Sequence, residues 1–476
     1  MELQLEQQVI PCLIPCAHRS AEEHFSADFV VPDSMPDVSA LLLTEGDLCL
    51  WRLDLNDGSA EMEGEISARI CYGNDHGAPL SFPVRIPVRS RLRAEAFETG
   101  QRPFLRCRMK SLTTHLLNSR KVRVQGTLLC SLVTYGSSEI AVTTGMDSNE
   151  KHIYIQKSKL KLPYISAVEE QVFSAEETLA LLRGVPADGK LLSYASIPVI
   201  DSSECGDNRV ILKGSVRTTL LYQDAESREL MTETVETPFS CLTDAEADAS
   251  QCRISLHLTS EEVRCRNDDP AVDTAFHLVV QLVCYSECEI ECVTDAYSNQ
   301  AALSMEWKEQ SFPEYSRSEP ERQFAEEEIE GDFGAKNICA VRAVCRSEVI
   351  QVTALFYDSE HRLSSMTFGL KTENNGDTAT FAEQPTLQSA PTGFKARVPI
   401  ILEQEAERVR AVRILTAANL AEEQNPVISG IALVRRAEEM DYWQLAKENT
   451  SSVDAIEAAN PDCEAPPKWV VIPHVN

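Results

Sequence analysis

The residues best suited to metal chemistry stand near the start of the chain: Cys12, Cys16, His18 and His24. Thiolate and imidazole are zinc's usual ligands, and a closed site needs four of them. Zinc spacings bring the two members of a pair closer and separate the pairs by a longer loop. The run Cys12-x3-Cys16-x-His18-x5-His24 reads instead as an apolar strand carrying two cysteines and two unrelated histidines, so no metal is expected. Cys284, Cys288 and Cys292 recur every four residues on another expected strand. That spacing sets them on one face, about 13 Å from one to the next, too spread for one ion. They are expected to pack as small hydrophobes.

Nucleophilic catalysis needs a base within hydrogen-bond reach of the nucleophile and a third group to orient it. The chain has no Gly-x-Ser-x-Gly, no His-Glu-x-x-His, no phosphate loop and no dinucleotide fingerprint. Its nine histidines form no constellation. The expectation is a chain with no enzymatic activity and no cofactor. Binding chemistry is concentrated near the C-terminus, where Met440, Tyr442, Trp443 and Trp469 gather adaptable and aromatic side chains of the kind enriched at interfaces. Trp443 is expected to pack a small core at helical spacing with Ala446 and the stem of Lys447, while the sharper reading sets Tyr442 and Met440 on an exposed groove as an apolar hot spot for a partner. Trp469 opens a short closing strand.

The elements that would position these residues are mostly strands, many of them in a repeat. Gly64 and Tyr72 recur as Gly214 and Tyr222, and Tyr135 recurs as Tyr285, always 150 residues on. Leu128 and Leu132 match Leu278 and Leu282 at the same offset. Met62, Gly64, Ile66, Ala68, Ile70 and Tyr72 alternate with polar residues and Cys71, the period of a half-buried strand. Val210 to Tyr222 and Phe276 to Cys284 do the same in the second copy. Gly73-Asn-Asp-His-Gly77 supplies turn chemistry. Phe82-Pro-Val-Arg-Ile-Pro87 is expected to be extended, because each proline disfavours helix in the residue before it. Ser174-Ala-Glu-Glu177 has the form of a capping box and predicts a short helix over 178–182. Pro36-Asp37 predicts a comparable helix over 38–43. Val349 to Tyr357 is a further strand, and Leu355-Phe-Tyr resembles Leu220-Leu-Tyr. The polar stretch 311–320 reads as a linker and 370–392 as a long loop. The expected architecture is mainly β, with β-rich modules at 1–150, 160–300 and 320–432 and a small βααβ module at 433–476.

Composition agrees with a folded, soluble chain of three or four domains: 476 residues, 43% hydrophobic and 25% charged. The net charge of -30 is repelled by phosphate backbones and anionic lipid, so nucleic acid is not an expected partner. No 18-residue apolar run exists, so direct membrane insertion is not expected either. The N-terminal residues lack a basic leader and an apolar core, and the chain is expected to stay in the cytoplasm. The sixteen cysteines are then expected as thiols.

Two segments of the first copy carry a family resemblance. Val31-Pro-Asp-Ser-Met-Pro-Asp-Val38 and Leu116-Leu-Asn-Ser-Arg-Lys-Val122, with the Gly-to-Tyr strand between them, resemble the SPOCS domain, whose second signature is of the Leu-x-Asn-Pro-Arg-Lys type. Ser119 replaces the usual proline. The second copy matches by register alone. The C-terminal segment resembles a LysM module: Leu433-Val-Arg-Arg436 as its first strand, Tyr442-Trp-Gln-Leu-Ala-Lys447 and Val453 to Pro461 as its helices, Val470-Val-Ile-Pro473 as its last strand. Where the LysM family has a Gly-Asp-Thr turn, this chain has Glu439-Met440-Asp441, and Pro466-Pro-Lys468 replaces its Pro-Gly-Gln turn. Those turns line the sugar groove in glycan-binding LysM modules, and losing the glycine blocks close backbone approach.

SPOCS repeats followed by LysM are similar to the SipL-type spore-coat morphogenetic proteins of endospore-forming Firmicutes. The resemblance implies a scaffold in the mother-cell cytoplasm at the forespore surface. It also implies a coat morphogenetic ATPase and other coat proteins as partners, docked through Met440, Tyr442, Trp443, Asn460 and Trp469. The rival expectation is a carbohydrate-binding protein that grips peptidoglycan through LysM.

Overall fold

The computed structural model describes residues 2–474 apart from 75–77, 148–152, 207, 245–248, 268, 320, 331–337, 347–348, 358–361, 372–377, 383–384, 391–392, 425–429, 437–439 and 462–464. It is mainly β, with only two short helices among the described residues, both near the C-terminus. None is long and apolar enough to cross a membrane.

One strand plan recurs. In the first copy a long strand, β1 (Leu5–Val30), is followed by a meander of β2 (Ala40–Asn56), β3 (Ser59–Gly73) and β4 (Pro79–Arg93). Then come β5 (Arg102–Asn118) and a second long strand, β6 (Lys121–Met146), which pairs with both β5 and β1. The second copy repeats this with β7 (Ile153–Ala180), the meander β8 (Pro186–Gly206), β9 (Arg209–Asp224) and β10 (Leu230–Asp244), then β11 (Gln251–Cys265) and β12 (Ala271–Ser298). The meander of the first copy packs its apolar face over β5 and β6 through Ile66, Ile70, Tyr72, Leu105, Val124 and Leu128. The second packs likewise through Val216, Leu220, Tyr222, Phe276 and Leu278.

The repeated glycines have a backbone cause. β2 bulges after Leu50 and β8 bulges after Ile200, again 150 residues apart. Each bulge pushes a carbonyl toward the neighbouring strand. A Cβ on Gly64 would overlap the oxygen of Cys49, and one on Gly214 would overlap that of Val199. Glycine is the residue that admits such close backbone approach.

A third set of strands follows the same plan. β13 (Ala301–Arg317) and β14 (Glu321–Glu330) continue one another as β1 does in a single strand. The meander is β15 (Ile338–Arg346), β16 (Val349–Tyr357) and β17 (Leu363–Lys371). β18 (Thr378–Ala382) and β19 (Thr386–Ala390) both pair with β20 (Gly393–Glu403), while β21 (Glu405–Gln424) pairs with β13. A shared detail fixes the alignment. In each set the closing strand carries an extra threonine whose hydroxyl bonds back across the ladder: Thr144 to the Glu6 carbonyl, Thr294 to that of Gln156, Thr416 to that of Glu306. The three acceptors are 150 residues apart, so the third set begins at β13, near residue 301, rather than at 320.

Equivalent positions of the three sets meet in shared cores. Cys12, Leu162 and Phe312, again spaced by 150, lie in one cluster with Val142, Cys292 and Ile414. Leu3, Ile153 and Leu303 meet in another. At the meander end, Leu42 and Leu192 join Ala340 and Leu355. Three equivalent positions in one cluster are what a pseudo-threefold arrangement produces. Beside them Arg342 of β15 holds Glu45 of β2, Nε to Oε1 3.0 Å, and donates to the Thr219 carbonyl of β9 at 2.9 Å. Ser193 of β8 donates to the same Glu45 at 2.8 Å.

The structure corrects four local expectations. Residues 38–43 run into strand β2, and 174–180 lie in strand β7, so neither helix forms. The capping-box segment pairs with β12 over its whole length, Ser174 with His277 and Thr178 with Asp273. The expected linker at 311–320 is largely strand β13. The expected loop at 370–392 contains β18 and β19. Of the turn at 73–77, residues 75–77 lie outside the described residues.

Candidate docking surface of the C-terminal module

The last segment folds as strand, two helices, strand: β22 (Gly430–Arg435), α1 (Tyr442–Glu448), α2 (Val453–Ala459) and β23 (Trp469–His474). Each helix begins at a side chain that takes an orphan amide. Asp441 accepts from the Gln444 amide at 2.8 Å, and Ser452 accepts from the Ala455 amide at 3.2 Å. β22 and β23 pair antiparallel, Leu433 opposite Val471 and Arg435 opposite Trp469. The core between helices and sheet is Leu445, Ala446, Ile456, Val470 and Ile472.

Three of the expected docking residues are engaged inside the protein. Tyr442 is only 8% exposed and belongs to this core, which corrects its placement on an open groove. Met440 is half-buried and packs on the same cluster. Asn460, 9% exposed, stitches α2 to β23: its amide donates to the Ile456 and Val471 carbonyls, and its oxygen accepts from the Val471 amide, all within 2.9 Å. Its role is therefore structural. Residue Glu439 of the altered turn lies outside the described residues.

Trp443 is also engaged, against the second repeat. Its ring edge meets Tyr297 at 4.9 Å between centroids, and Tyr297 stacks on Tyr154 at 5.0 Å. The indole N–H donates to Asp295 at 2.9 Å, and Lys447, one helical turn on, holds both oxygens of the same carboxylate at 2.7 and 2.8 Å. Tyr297 in turn donates to the Ser451 carbonyl at 3.0 Å. Asp295 directly follows the Thr294 bulge, so a feature common to all three sets positions the carboxylate that only this one uses. Trp443→Ala is expected to remove about 2 kcal/mol of this attachment, as loss of a central aromatic anchor does. Hydrogen exchange of α1, β22 and β23 amides should quicken, with β6 and β12 unchanged.

Trp469 is the expected residue that does face outward, at 54% exposure. It shares the outer face of the two-stranded sheet with Ile431 and Leu433, which are 76% and 63% exposed. Register puts Ile431, Leu433 and Arg435 opposite Pro473, Val471 and Trp469 on that face, away from the helices. Neither Ile431 nor Leu433 is among the docking residues expected from the sequence, since Ile431-Ala-Leu-Val434 is apolar throughout and does not show which side the helices cover.

Residues 31–38 and 116–122 of the first copy meet as one clasp. Arg120 donates to the carbonyls of Met35 at 2.7 Å and Val31 at 3.0 Å, and Ser119 donates to Asp37 at 2.7 Å. These bonds hold the Asp37 carboxyl below its ordinary pKa, the Ser119 bond first and Arg120 second. The segments thus close the end of the first sandwich. The metal candidates are spread along β1: Cys12 lies in the shared core, while His18 bonds Ser131 at 3.0 Å and His24 bonds Thr127 at 2.9 Å. A strand of that length separates Cys12 from His24 by roughly 40 Å. Cys284 and Cys292 are buried in apolar clusters, as packing residues are. The fifteen described cysteines are free. Comparison with protein-family models, with curated proteins and with solved structures finds no match.

Proposed function

We propose that the chain is a non-enzymatic interaction scaffold of spore-coat assembly, which docks a coat morphogenetic ATPase through its LysM-like C-terminal module. The observation that carries this reading is the outward apolar face of Ile431, Leu433 and Trp469 on a module clamped to the second repeat. Such a patch on an otherwise highly charged surface is suited to a partner. A module fixed by Asp295 presents that face at a set position, which is what a scaffold needs. The three strand sets are read as SPOCS-like modules that hold other coat proteins or set the reach of the docking module. The segments around Asp37 and Arg120 support that reading. A mother-cell cytoplasmic location belongs to the same proposal.

The test is a pull-down with the full chain from lysate of sporulating cells, beside a sedimentation assay with purified peptidoglycan. Capture of the coat ATPase by the wild type is expected. Trp469→Asp should weaken it at least tenfold, because a charge at the centre of an apolar contact must be desolvated unpaired. Unchanged capture by that variant removes the face from the docking site. Retention on peptidoglycan without the ATPase would make the chain a glycan binder instead.

A further inference from the structure

Two cysteines of the second strand set face one another across its two sheets. Cys205 stands near the end of β8, in the meander, and Cys252 near the start of β11, in the large sheet on which the meander packs. Their sulfurs are 3.1 Å apart, and both are free thiols. A disulfide sets its sulfurs at about 2.05 Å, so a movement of about 1 Å joins them. Both residues line a cavity of about 280 Å³, whose wall also carries Asp201, Gln251, Arg317 and Glu319. A polar wall of that kind admits water and small polar solutes.

The two thiols differ in access and in reactivity. Cys205 is half-buried and Cys252 is buried. The Cys252 thiol donates to Cys205 and holds it below the ordinary thiol range, although burial works the other way. Cys252 is pushed up by that same bond first, then by its bond to Cys284 and by burial. Thiolate is the nucleophilic form, so Cys205 is the attacking member and Cys252 the resolving one. Cys284 lies directly opposite Cys252 in the β11–β12 ladder, but it is fully buried and is not on the cavity wall. Cys107 and Cys130, opposite one another on β5 and β6, bring their sulfurs closer still, to 2.8 Å. There the Cys107 thiol is pushed up by its bond to Cys130 and by burial. Closeness and thiolate character thus favour different pairs.

We propose that Cys205 and Cys252 form a peroxide-responsive dithiol, which oxidises to a disulfide that ties the meander of the second set to the sheet beneath it. The Cys205 thiolate attacks one oxygen of hydrogen peroxide. The O–O bond breaks, hydroxide leaves, and Cys205 becomes a sulfenic acid. The hydroxide takes up the proton that Cys205 had released. The Cys252 sulfur then attacks the Cys205 sulfur, the S–O bond breaks, and the hydroxyl leaves as water with the Cys252 proton. Two thiols and one peroxide become one disulfide and two waters. The new bond closes a long loop through β9 and β10, which constrains the unfolded chain. Disulfides of cytosolic proteins are commonly of this transient, redox-sensing kind.

The test treats the reduced full chain with hydrogen peroxide, blocks the remaining thiols with N-ethylmaleimide and maps linked peptides by mass spectrometry without reduction. A peptide joining Cys205 to Cys252 is expected first, at about tenfold less peroxide than a link between Cys107 and Cys130. Dimedone, which labels sulfenic acid, should mark Cys205 in the Cys252→Ser variant and leave Cys252 unmarked in Cys205→Ser. At the dose that links the wild type, the urea midpoint should rise and then fall back with dithiothreitol. The same dose should leave the midpoint of Cys205→Ser unmoved. No link between Cys205 and Cys252, an earlier link at Cys107 and Cys130 or at Cys252 and Cys284, or a wild-type midpoint that the linking dose leaves unchanged would each overturn the proposal. The linkage map uses the wild type alone, so it decides the matter even where a serine variant does not fold.

Discussion

Arg342→Ala is expected to destabilise the protein by about 3–5 kcal/mol, read from urea unfolding followed by far-UV circular dichroism. Arg342 and Glu45 are both buried, and their guanidinium and carboxylate face one another across two strand sets. Alanine leaves Glu45 in the same low-dielectric surroundings, where among the described residues the Ser193 hydroxyl is the side-chain donor it keeps. An uncompensated buried charge costs more than the pair contributed. It also frees the Thr219 carbonyl, which Arg342 now satisfies. The double variant Glu45→Leu with Arg342→Met removes both charges and keeps most of the volume. It should recover the greater part of the loss, because well-packed apolar residues replace buried pairs at little cost. A single variant as stable as wild type would show that water reaches this junction. A double variant no better than the single would locate the loss in packing.

The strands were legible where burial was one-sided. Ile66, Ala68 and Ile70 alternate with the half-buried Glu65, Ser67 and Arg69 because this part of β3 lies against a core on one face. The 150-residue offset was legible at Gly64 and Gly214 because a bulge on the neighbouring strand leaves room for hydrogen alone. It was illegible at the third set. The feature that aligns Glu306 with Gln156 and Glu6 is a backbone irregularity, and the threonine that marks it is a common residue. The two expected helices failed for a related reason. Ser174 to Ala180 has a local capping pattern, but β12 offers every residue there a cross-strand partner. A short helix would leave those backbone groups to water, whereas the ladder satisfies them and buries Ala175.

In the C-terminal module the two helices and the closing strand were legible from the local pattern of Tyr442 to Lys447, Val453 to Ala459 and Trp469 to Ile472, while their caps, Asp441 and Ser452, were not. The direction each aromatic faces was not. Tyr442 and Trp443 are neighbours on α1, and which of them points into the module depends on how the helix lies over the sheet. Tyr442 went into the core, and Trp443 went to Tyr297 and Asp295, a partner surface almost 150 residues away in sequence. Trp469 faces outward because it alternates with Val470 and Ile472, both buried, a direction that the apolar run Trp-Val-Val-Ile does not show by itself.

Phe312→Ala should cost about 3–5 kcal/mol, the usual penalty for emptying a fully buried aromatic site. The size of the loss tests packing; its coupling tests the arrangement of the copies. Phe312 shares its cluster with Leu162 and Cys12, the equivalent residues of the other two sets. Phenylalanine, leucine and cysteine fill three equivalent positions, the large ring of one set offsetting the small thiol of another. Leu162→Ala should therefore cost about 2–5 kcal/mol and Cys12→Ala less than either, since it removes only one sulfur. The double variant Phe312→Ala with Leu162→Ala should depart from additivity by at least 0.5 kcal/mol, because both empty the same space. Residues in separate cores would add. Measured additivity would mean that the sets fold as independent sandwiches, and the shared cluster would then have to be abandoned as the device that assembles them.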